Sequence, residues 1–299
     1  MTHNIIESLS KILGVGKDTT ATLLVSLFTF SMGIFLTIIF KTIENYFNRR
    51  NYRKLTKLNL LTLIKEMFHQ SLSYKRCAEE LKIELTNTPT FTEVSISSIG
   101  VFYQLGYKNL HAAFFTGIEN VFKKKSKRRV AFNRLWSTLE YLTLFHQKSF
   151  VEFGEFRRLE KEANELRNAK ISEAFEIVNS IRFTFHKEKI PKNLVTYCIE
   201  VEKLLSNSQK QPDPTNPKIV NDYFVAPLLE LNRQDIDLFK DFFNQLMPVQ
   251  LNSVLWMCST RYQNQKNLIE SYRKFFNHLG ESFSQSVNNL KKSYRILFK

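Results

Sequence analysis

An uncharged, apolar run near the N-terminus constrains this chain more than any other feature. Residues 19–40 read TTATLLVSLFTFSMGIFLTIIF and contain no charged residue and no Asn, Gln, His or Pro. As a helix rising ~1.5 Å per residue, the run would extend ~33 Å, about the thickness of a bilayer's hydrocarbon core. Its six closest Lys and Arg on the C-terminal side outnumber the two Lys in front of it, whereas a signal peptide has its basic residues in front. We therefore predict a transmembrane helix over residues 18–41.

The charges on either side of the run predict its orientation. Residues 1–18 carry two Lys and two acidic residues, whereas residues 41–57 carry six Lys and Arg and a single Glu. Flanks rich in Lys and Arg stay in the cytoplasm. The sequence thus predicts an N-terminus outside and a C-terminal domain in the cytoplasm. The high content of Lys, Asn, Ile and Phe indicates AT-rich coding, so we expect a bacterial inner membrane.

Composition favours an all-α fold, in which the span continues into a helical bundle with long helices. Only 8 Gly and 7 Pro occur in 299 residues, and apolar residues recur at spacings of three and four. The predicted domains are an amphipathic segment at 1–17 on the extracytoplasmic side, the transmembrane helix at 18–41, a helical stalk at 42–87, a cytoplasmic bundle at 88–205 with a basic cluster at 123–134, a Pro-rich linker at 206–221 and a C-terminal helical pair at 222–299.

Several classes of enzyme and cofactor site lack their motifs. The glycines are too scattered for a phosphate-binding or dinucleotide loop, and no G-x-S-x-G is present. Neither His nor Cys residues form the close pairs that zinc sites need. We therefore expect no cofactor and no metal. The three cysteines, Cys77, Cys198 and Cys258, are expected to be buried free thiols in a reducing compartment.

A stripe of small residues follows one face of the predicted span. It consists of Thr22, Ser26, Thr29, Gly33 and Thr37, at spacings of four, three, four and four. In lipid, small residues let helix backbones approach closely, so the stripe predicts an oligomer interface within the membrane. Two alternatives stay open: the hydroxyls bond back to their own helix, or the stripe lines a narrow pore in a higher oligomer.

The basic cluster at residues 123–134, KKKSKRRVAFNR, has seven positive charges and no negative one. The candidate polyanion-binding residues are Lys123, Lys124, Lys125, Lys127, Arg128 and Arg129. Anionic lipid headgroups are one candidate ligand, since the anchor would hold the domain close to a negative leaflet. Nucleic acid is another, with Phe122, Phe132 and Trp136 available to stack on bases. A solvated surface without a ligand is the third possibility.

One pair of residues resembles a catalytic motif. Arg273 and His278 in YRKFFNHLG have the R-x4-H spacing of the helical HEPN-type ribonucleases. The resemblance implies that His278 would act as acid or base and that Arg273 would stabilise a pentacoordinate phosphate. The motif is short and recurs by chance, so two polar positions on a basic helix are the alternative. We expect no other catalytic residue.

The leading interpretation is a non-enzymatic, homo-oligomeric membrane protein. Its cytoplasmic domain would sense or dock a partner and alter membrane integrity, an architecture that resembles single-span bacterial anti-phage effectors. One alternative is a membrane-tethered HEPN-like ribonuclease that uses Arg273 and His278. Another is a membrane scaffold that recruits nucleic acid or a second protein through its basic surface.

Overall fold

The computed structural model describes residues 8, 11–14, 16–82, 91–92, 94, 96–117, 125–185, 192–234 and 247–298. Of these residues 93 % are helical and none lies in a strand, which confirms the all-α fold. The helices are α1 (Lys17–Glu80), α2 (Ser97–Leu105), α3 (Tyr107–Phe115), α4 (Lys125–Phe185), α5 (Lys192–Gln209), α6 (Pro217–Val220), α7 (Ala226–Gln234) and α8 (Met247–Phe298). A π-helical turn, Asn221–Val225, joins α6 to α7.

The longest helix, α1, contains the apolar run and is 64 residues long. It has no proline, and Gly33 is its only glycine, so nothing in its sequence breaks the hydrogen-bonded ladder. It is the one helix among the described residues that is long and apolar enough to cross a membrane. The predicted stalk is helical as far as Glu80, and residues 83–90 lie outside the described part of the chain.

The chain divides into two compact units. The first, here called the span unit, comprises residues 1–63, 97–136 and 291–299. The second, the body unit, comprises residues 64–96 and 137–290. Each of the long helices α1, α4 and α8 contributes residues to both units. The domains predicted from the sequence are instead consecutive segments of the chain.

Aromatic side chains fill the core of the span unit. Phe114 of α3 is fully buried, and its ring lies 5.9 Å from that of Phe132 in α4 and 5.4 Å from that of Phe298 in α8. The Arg53 side chain of α1 donates a hydrogen bond to the carbonyl oxygen of Ala113, the residue before Phe114. These contacts hold α1, α3, the start of α4 and the end of α8 together.

One core of the body unit is built around Tyr74 of α1. Its buried ring stacks 6.3 Å from Phe276 and meets Phe283 edge-on at 5.0 Å, both from α8. Its hydroxyl lies 2.6 Å from Ser149 Oγ of α4. Ser149 itself donates to the carbonyl of His146, so Tyr74 is the donor to Ser149. One buried hydroxyl pair thereby ties α1 to α4.

A second core of the body unit joins α4, α5, the π-helical turn, α7 and the start of α8. Phe175 and Phe224 stack there with ring centroids 4.4 Å apart and planes only 8° from parallel. The buried residues around them include Val178, Tyr197, Val201, Leu228, Leu251 and Leu255. The part of α4 from Ile171 to Ile181 therefore packs against several elements rather than against a single partner helix.

The predicted Pro-rich linker, 206–221, is more structured than an exposed connection. Helix α5 continues to Gln209, and a new helix begins at Pro217. Asn216 caps that helix by accepting a hydrogen bond from the Lys218 amide at 3.0 Å, and proline is favoured at a first helical position. Because α5 ends at Gln209 and Asn216 caps the next helix, residues 210–215 connect the two helices. Asn216 and Pro217 are buried.

Candidate membrane anchor and basic surface

The five residues of the small-residue stripe all lie on α1 and are exposed. The hydroxyls of Thr22, Thr29 and Thr37 donate to the carbonyls four residues earlier, at 2.9, 2.8 and 2.8 Å. A Cβ atom built on Gly33 meets nothing within 4 Å. These threonines are thus satisfied within their own helix, and the stripe offers a close-packing surface rather than free hydrogen-bond donors. Association through it stays a prediction.

Aromatic and basic residues follow the apolar run along α1. Tyr46 and Phe47 are exposed, with their rings 5.8 Å apart and edge to face. Arg50, Lys54 and Lys57 follow at spacings of four and three, exposed on one face of the helix. Aromatic residues next to a span, succeeded by Lys and Arg, are typical of a membrane–water interface on the cytoplasmic side.

The structure divides the predicted polyanion-binding cluster into two kinds of residue. Lys127 and Arg129 are exposed, whereas Arg128 between them is buried. The guanidinium of Arg128 lies 5.9 Å from the ring centroids of both Phe114 and Phe115. Its burial, and secondarily the positive charge of Arg53, lower the pKa of Arg128. Arg128 therefore belongs to the core of the span unit.

The remaining members of the cluster are described only in part. Lys123 and Lys124 lie outside the described residues, and Lys125 is the first residue of α4. Of the aromatic residues predicted to stack on bases, Phe132 is 1 % exposed. Trp136 packs edge-on against Tyr103 and Tyr107, with ring centroids 5.8 and 5.2 Å away. Phe122 lies outside the described residues.

The excess positive charge of the chain is confined to one of its units. The span unit holds 20 Lys and Arg against four Asp and Glu, a net charge of +16. The body unit holds 23 against 24, a net charge of −1. Three segments distant in sequence, on α1, at the start of α4 and at the end of α8, supply most of the span unit's cations. The sequence shows each run, but it does not show that they belong to one unit.

The candidate ribonuclease pair lies on one uninterrupted helix, α8, and both side chains are exposed. Arg273 Nη1 lies 3.2 Å from a carboxylate oxygen of Glu270. Arg273 also lines an open groove of about 510 Å³ in the body unit, together with Glu79, Lys82 and Lys274. His278 follows five residues later, which on a regular helix turns it ~140° away from Arg273. The two side chains therefore share a helix but not a face.

The three cysteines are free and buried. Burial, reinforced by Glu80 and Glu202, raises the pKa of Cys77 and Cys198 to about 12. Burial likewise raises the pKa of Cys258 to about 11. Since the thiolate is the reactive form, these thiols are poor nucleophiles at neutral pH. Among the described residues, no group of three or more His, Cys, Asp or Glu is placed to hold a metal ion.

The body unit contains a buried arginine, Arg167, that was not among the site residues predicted from the sequence. Arg167 of α4 is 5 % exposed, and its Nη1 donates to Oε1 of Gln265 in α8. Gln265 in turn donates to Asn164 Oδ1 at 2.7 Å, and Arg167 Nη2 donates to Asn168 Oδ1 at 3.0 Å. Burial lowers the pKa of Arg167. The arrangement is a polar layer, centred on the buried Arg167 and Gln265, that joins α4 to α8.

Comparisons of this chain with protein-family models, with curated proteins and with solved structures gave no match. The function is therefore inferred from the chain's own residues.

Proposed function

We propose that this chain is a single-span protein of a bacterial inner membrane, with its N-terminus outside and its body unit in the cytoplasm. The body docks a partner, copies associate through the span, and docking changes the integrity of the membrane. The observation that carries this proposal is the continuity of α1, which runs from the apolar run into the body unit without a break.

The continuity of α1 supports a mechanical connection. Residues 64–80 of the helix contribute several fully buried side chains to the body unit, among them Met67, Tyr74 and Cys77. A rigid helix passes a shift or rotation of such residues along its whole length, because it has no proline or glycine pair at which to bend. The exposed span residues on the same helix would move with them. Changes in body packing thus act on the packing of neighbouring spans.

Exposed aromatic residues support a docking role for the body unit. Trp256, Phe183 and Tyr223 are 55 %, 68 % and 44 % exposed, and they belong to the elements that form the second core of that unit. Large aromatic side chains on a surface are enriched in protein–protein interfaces. We therefore expect the partner to be a protein whose surface packs against these exposed aromatic side chains.

The experiment follows membrane potential in cells that express the chain. Leu58 is exposed on α1 between the apolar run and the body unit, so Leu58→Pro breaks the helix there while leaving the body residues unchanged. Leu58→Ala is the control, since it keeps the helix intact. We expect depolarisation with the unmodified chain and with Leu58→Ala, and loss of depolarisation with Leu58→Pro.

Three results would contradict the proposal. Depolarisation by Leu58→Pro at the unmodified level would show that an unbroken α1 is dispensable. Activity that is lost in His278→Ala, in a protein that still inserts and associates, would favour the membrane-tethered ribonuclease instead. Absence of depolarisation by the unmodified chain would remove membrane integrity as the output.

A further inference from the structure

We infer that the span unit carries a docking surface for anionic lipid headgroups, assembled from α1, the start of α4 and the end of α8. The inference rests on the proposed function in one respect, namely that the apolar run of α1 crosses the membrane. It goes further, because it assigns a ligand to the exposed basic residues outside the span. It also distinguishes these residues from the buried Arg128, which packs in the core.

Contacts within the span unit bring the start of α4 and the end of α8 close to Arg53 of α1. Arg53 of α1 bonds to Ala113, and Phe114 contacts both Arg128, near the start of α4, and Phe298, at the end of α8. The exposed cations on these segments include Lys54, Lys57, Lys127, Arg129, Lys291 and Arg295. With only four acidic residues in the unit, at most four of its 20 cations can be neutralised from within it.

The level of Arg53 lies within electrostatic reach of a membrane surface. Arg53 is 13 residues beyond Phe40, the end of the apolar run, which along a helix is ~20 Å. The headgroup layer occupies roughly the first 6 Å of that distance. Lys41 and Arg50 are exposed within the interval, and a tilted helix brings the rest of the unit closer. A tilt of ~40° shortens the ~20 Å to ~15 Å along the membrane normal and leaves ~9 Å beyond the headgroup layer. That distance is comparable with the screening length of ~8 Å at physiological ionic strength, so cations near Arg53 interact with the leaflet when the helix is tilted.

The aromatic residues of this unit favour lipid over nucleic acid. Single-stranded nucleic acid is bound by exposed rings on which bases stack, with cations along the backbone. Phe132 is buried, and the half-buried Trp136 packs edge-on against Tyr103 and Tyr107, so neither ring that was predicted to stack on bases stands free on the surface. Exposed point charges fit the scattered phosphates of a lipid surface, and such binding needs no ring on which bases stack. Arg128 is excluded from the surface because it is buried against Phe114.

The test uses the full chain reconstituted into nanodiscs of phosphatidylcholine with 30 % phosphatidylglycerol. Native mass spectrometry after transfer to detergent counts the lipids that each chain retains. The variant neutralises exposed cations of α4 and α8 only, leaving the topology signal on α1 intact: Lys127→Gln, Arg129→Gln, Lys291→Gln, Lys292→Gln and Arg295→Gln. The matched control changes five exposed cations of the body unit: Lys65→Gln, Lys148→Gln, Lys210→Gln, Arg261→Gln and Lys266→Gln.

We expect the unmodified chain and the body-unit control to retain phosphatidylglycerol in excess of its share of the bilayer. In the span-unit variant that excess should fall about tenfold or more, because each charge near an anionic leaflet strengthens the attraction by about fivefold. Equal retention by the span-unit variant and the unmodified chain would overturn the inference. So would a span-unit variant that keeps its phosphatidylglycerol but loses binding of a labelled single-stranded RNA, since that result assigns the surface to nucleic acid.

The outcome also separates this inference from the proposed function. A chain that does not enter nanodiscs would overturn the transmembrane anchor, and this inference with it. A chain that enters them and retains the two lipids in their bilayer proportion would overturn the lipid-docking surface alone.

Discussion

The hydroxyl of Ser71 in α1 donates a 2.8 Å hydrogen bond to the carbonyl oxygen of Gly280 in α8. Both residues are buried in the body unit. A Cβ atom added at Gly280 would lie 2.6 Å from Lys75 Cγ and 3.3 Å from both the Ser71 carbonyl oxygen and the Lys75 amide nitrogen. Only glycine at position 280 therefore lets α8 approach this part of α1 so closely, and the approach is what aligns the donor with its acceptor.

The close approach predicts a large penalty for a side chain at position 280. Gly280→Val should lower the free energy of unfolding by ~2 kcal/mol, because α1 and α8 must separate or distort to admit the added carbons. Denaturant unfolding of the detergent-solubilised chain, followed by circular dichroism, measures the change. Gly154→Ala is the control: its added Cβ meets nothing within 4 Å in the middle of α4. It should raise the free energy by ~0.5–1 kcal/mol, and equal losses in the two variants would contradict the packing argument.

The polar layer of Arg167, Gln265 and Asn164 predicts a second effect on stability. Gln265→Leu removes the acceptor of Arg167 Nη1 and the donor to Asn164 Oδ1, leaving buried polar groups without those partners. The loss should be ~2–3 kcal/mol in the same unfolding measurement. Gln263→Leu, at an exposed position two residues earlier, should change the stability by less than ~0.5 kcal/mol. A near-neutral Gln265→Leu would mean that the layer contributes little to the packing of α4 against α8.

Burial of the three thiols predicts a pH dependence. Their folded pKa values of about 12, 12 and 11 exceed the unfolded value of ~8.5. The protonated thiols therefore contribute stability that is fully present below pH ~8.5 and is lost as the pH rises through the folded pKa values. Unfolding midpoints should fall between pH 8 and pH 10, and the fall should be smaller in Cys77→Ala. At pH 8 a thiol reagent should label the folded chain slowly and the unfolded chain at once; rapid labelling of the folded chain would contradict the burial.

The exposed stripe on α1 predicts association within the membrane. Gly33→Leu should weaken the oligomer, because a large side chain prevents close approach of two backbones at that point. Phe35→Leu, a change on another face of the same helix, should leave association intact. Cross-linking in membranes, or energy transfer between labelled copies, measures the effect. If both variants associate as the unmodified chain does, the small residues are not the interface.

The features that depend on local sequence could be predicted. The apolar run, the absence of proline and the single glycine fix α1 as one helix as far as Glu80, and the spacing-based all-α fold is confirmed. Asn216 followed by Pro217 is also a local signature of a helix start. The prolines close to them favour an exposed linker just as strongly. Because Asn216 and Pro217 are buried in the body unit, the structure has a helix start there rather than an exposed linker.

The features that depend on tertiary packing could not be predicted. Lys127, Arg128 and Arg129 are equivalent in a charge count, and only the rings of Phe114 and Phe115 separate Arg128 from its neighbours. The concentration of charge in the span unit likewise arises because α8 returns its last residues to the unit that holds the start of α4. A sequence pattern carries no information on which distant segments meet.

The measurement that tests the account most directly is the topology of the full chain in a bacterial membrane. A reporter that is active only in the periplasm and one that is active only in the cytoplasm are each fused after Lys299. The account predicts a silent periplasmic reporter and an active cytoplasmic one, because the six Lys and Arg of residues 41–57 hold that flank inside. An active periplasmic reporter, or a chain that alkaline carbonate releases from the membrane, would contradict it.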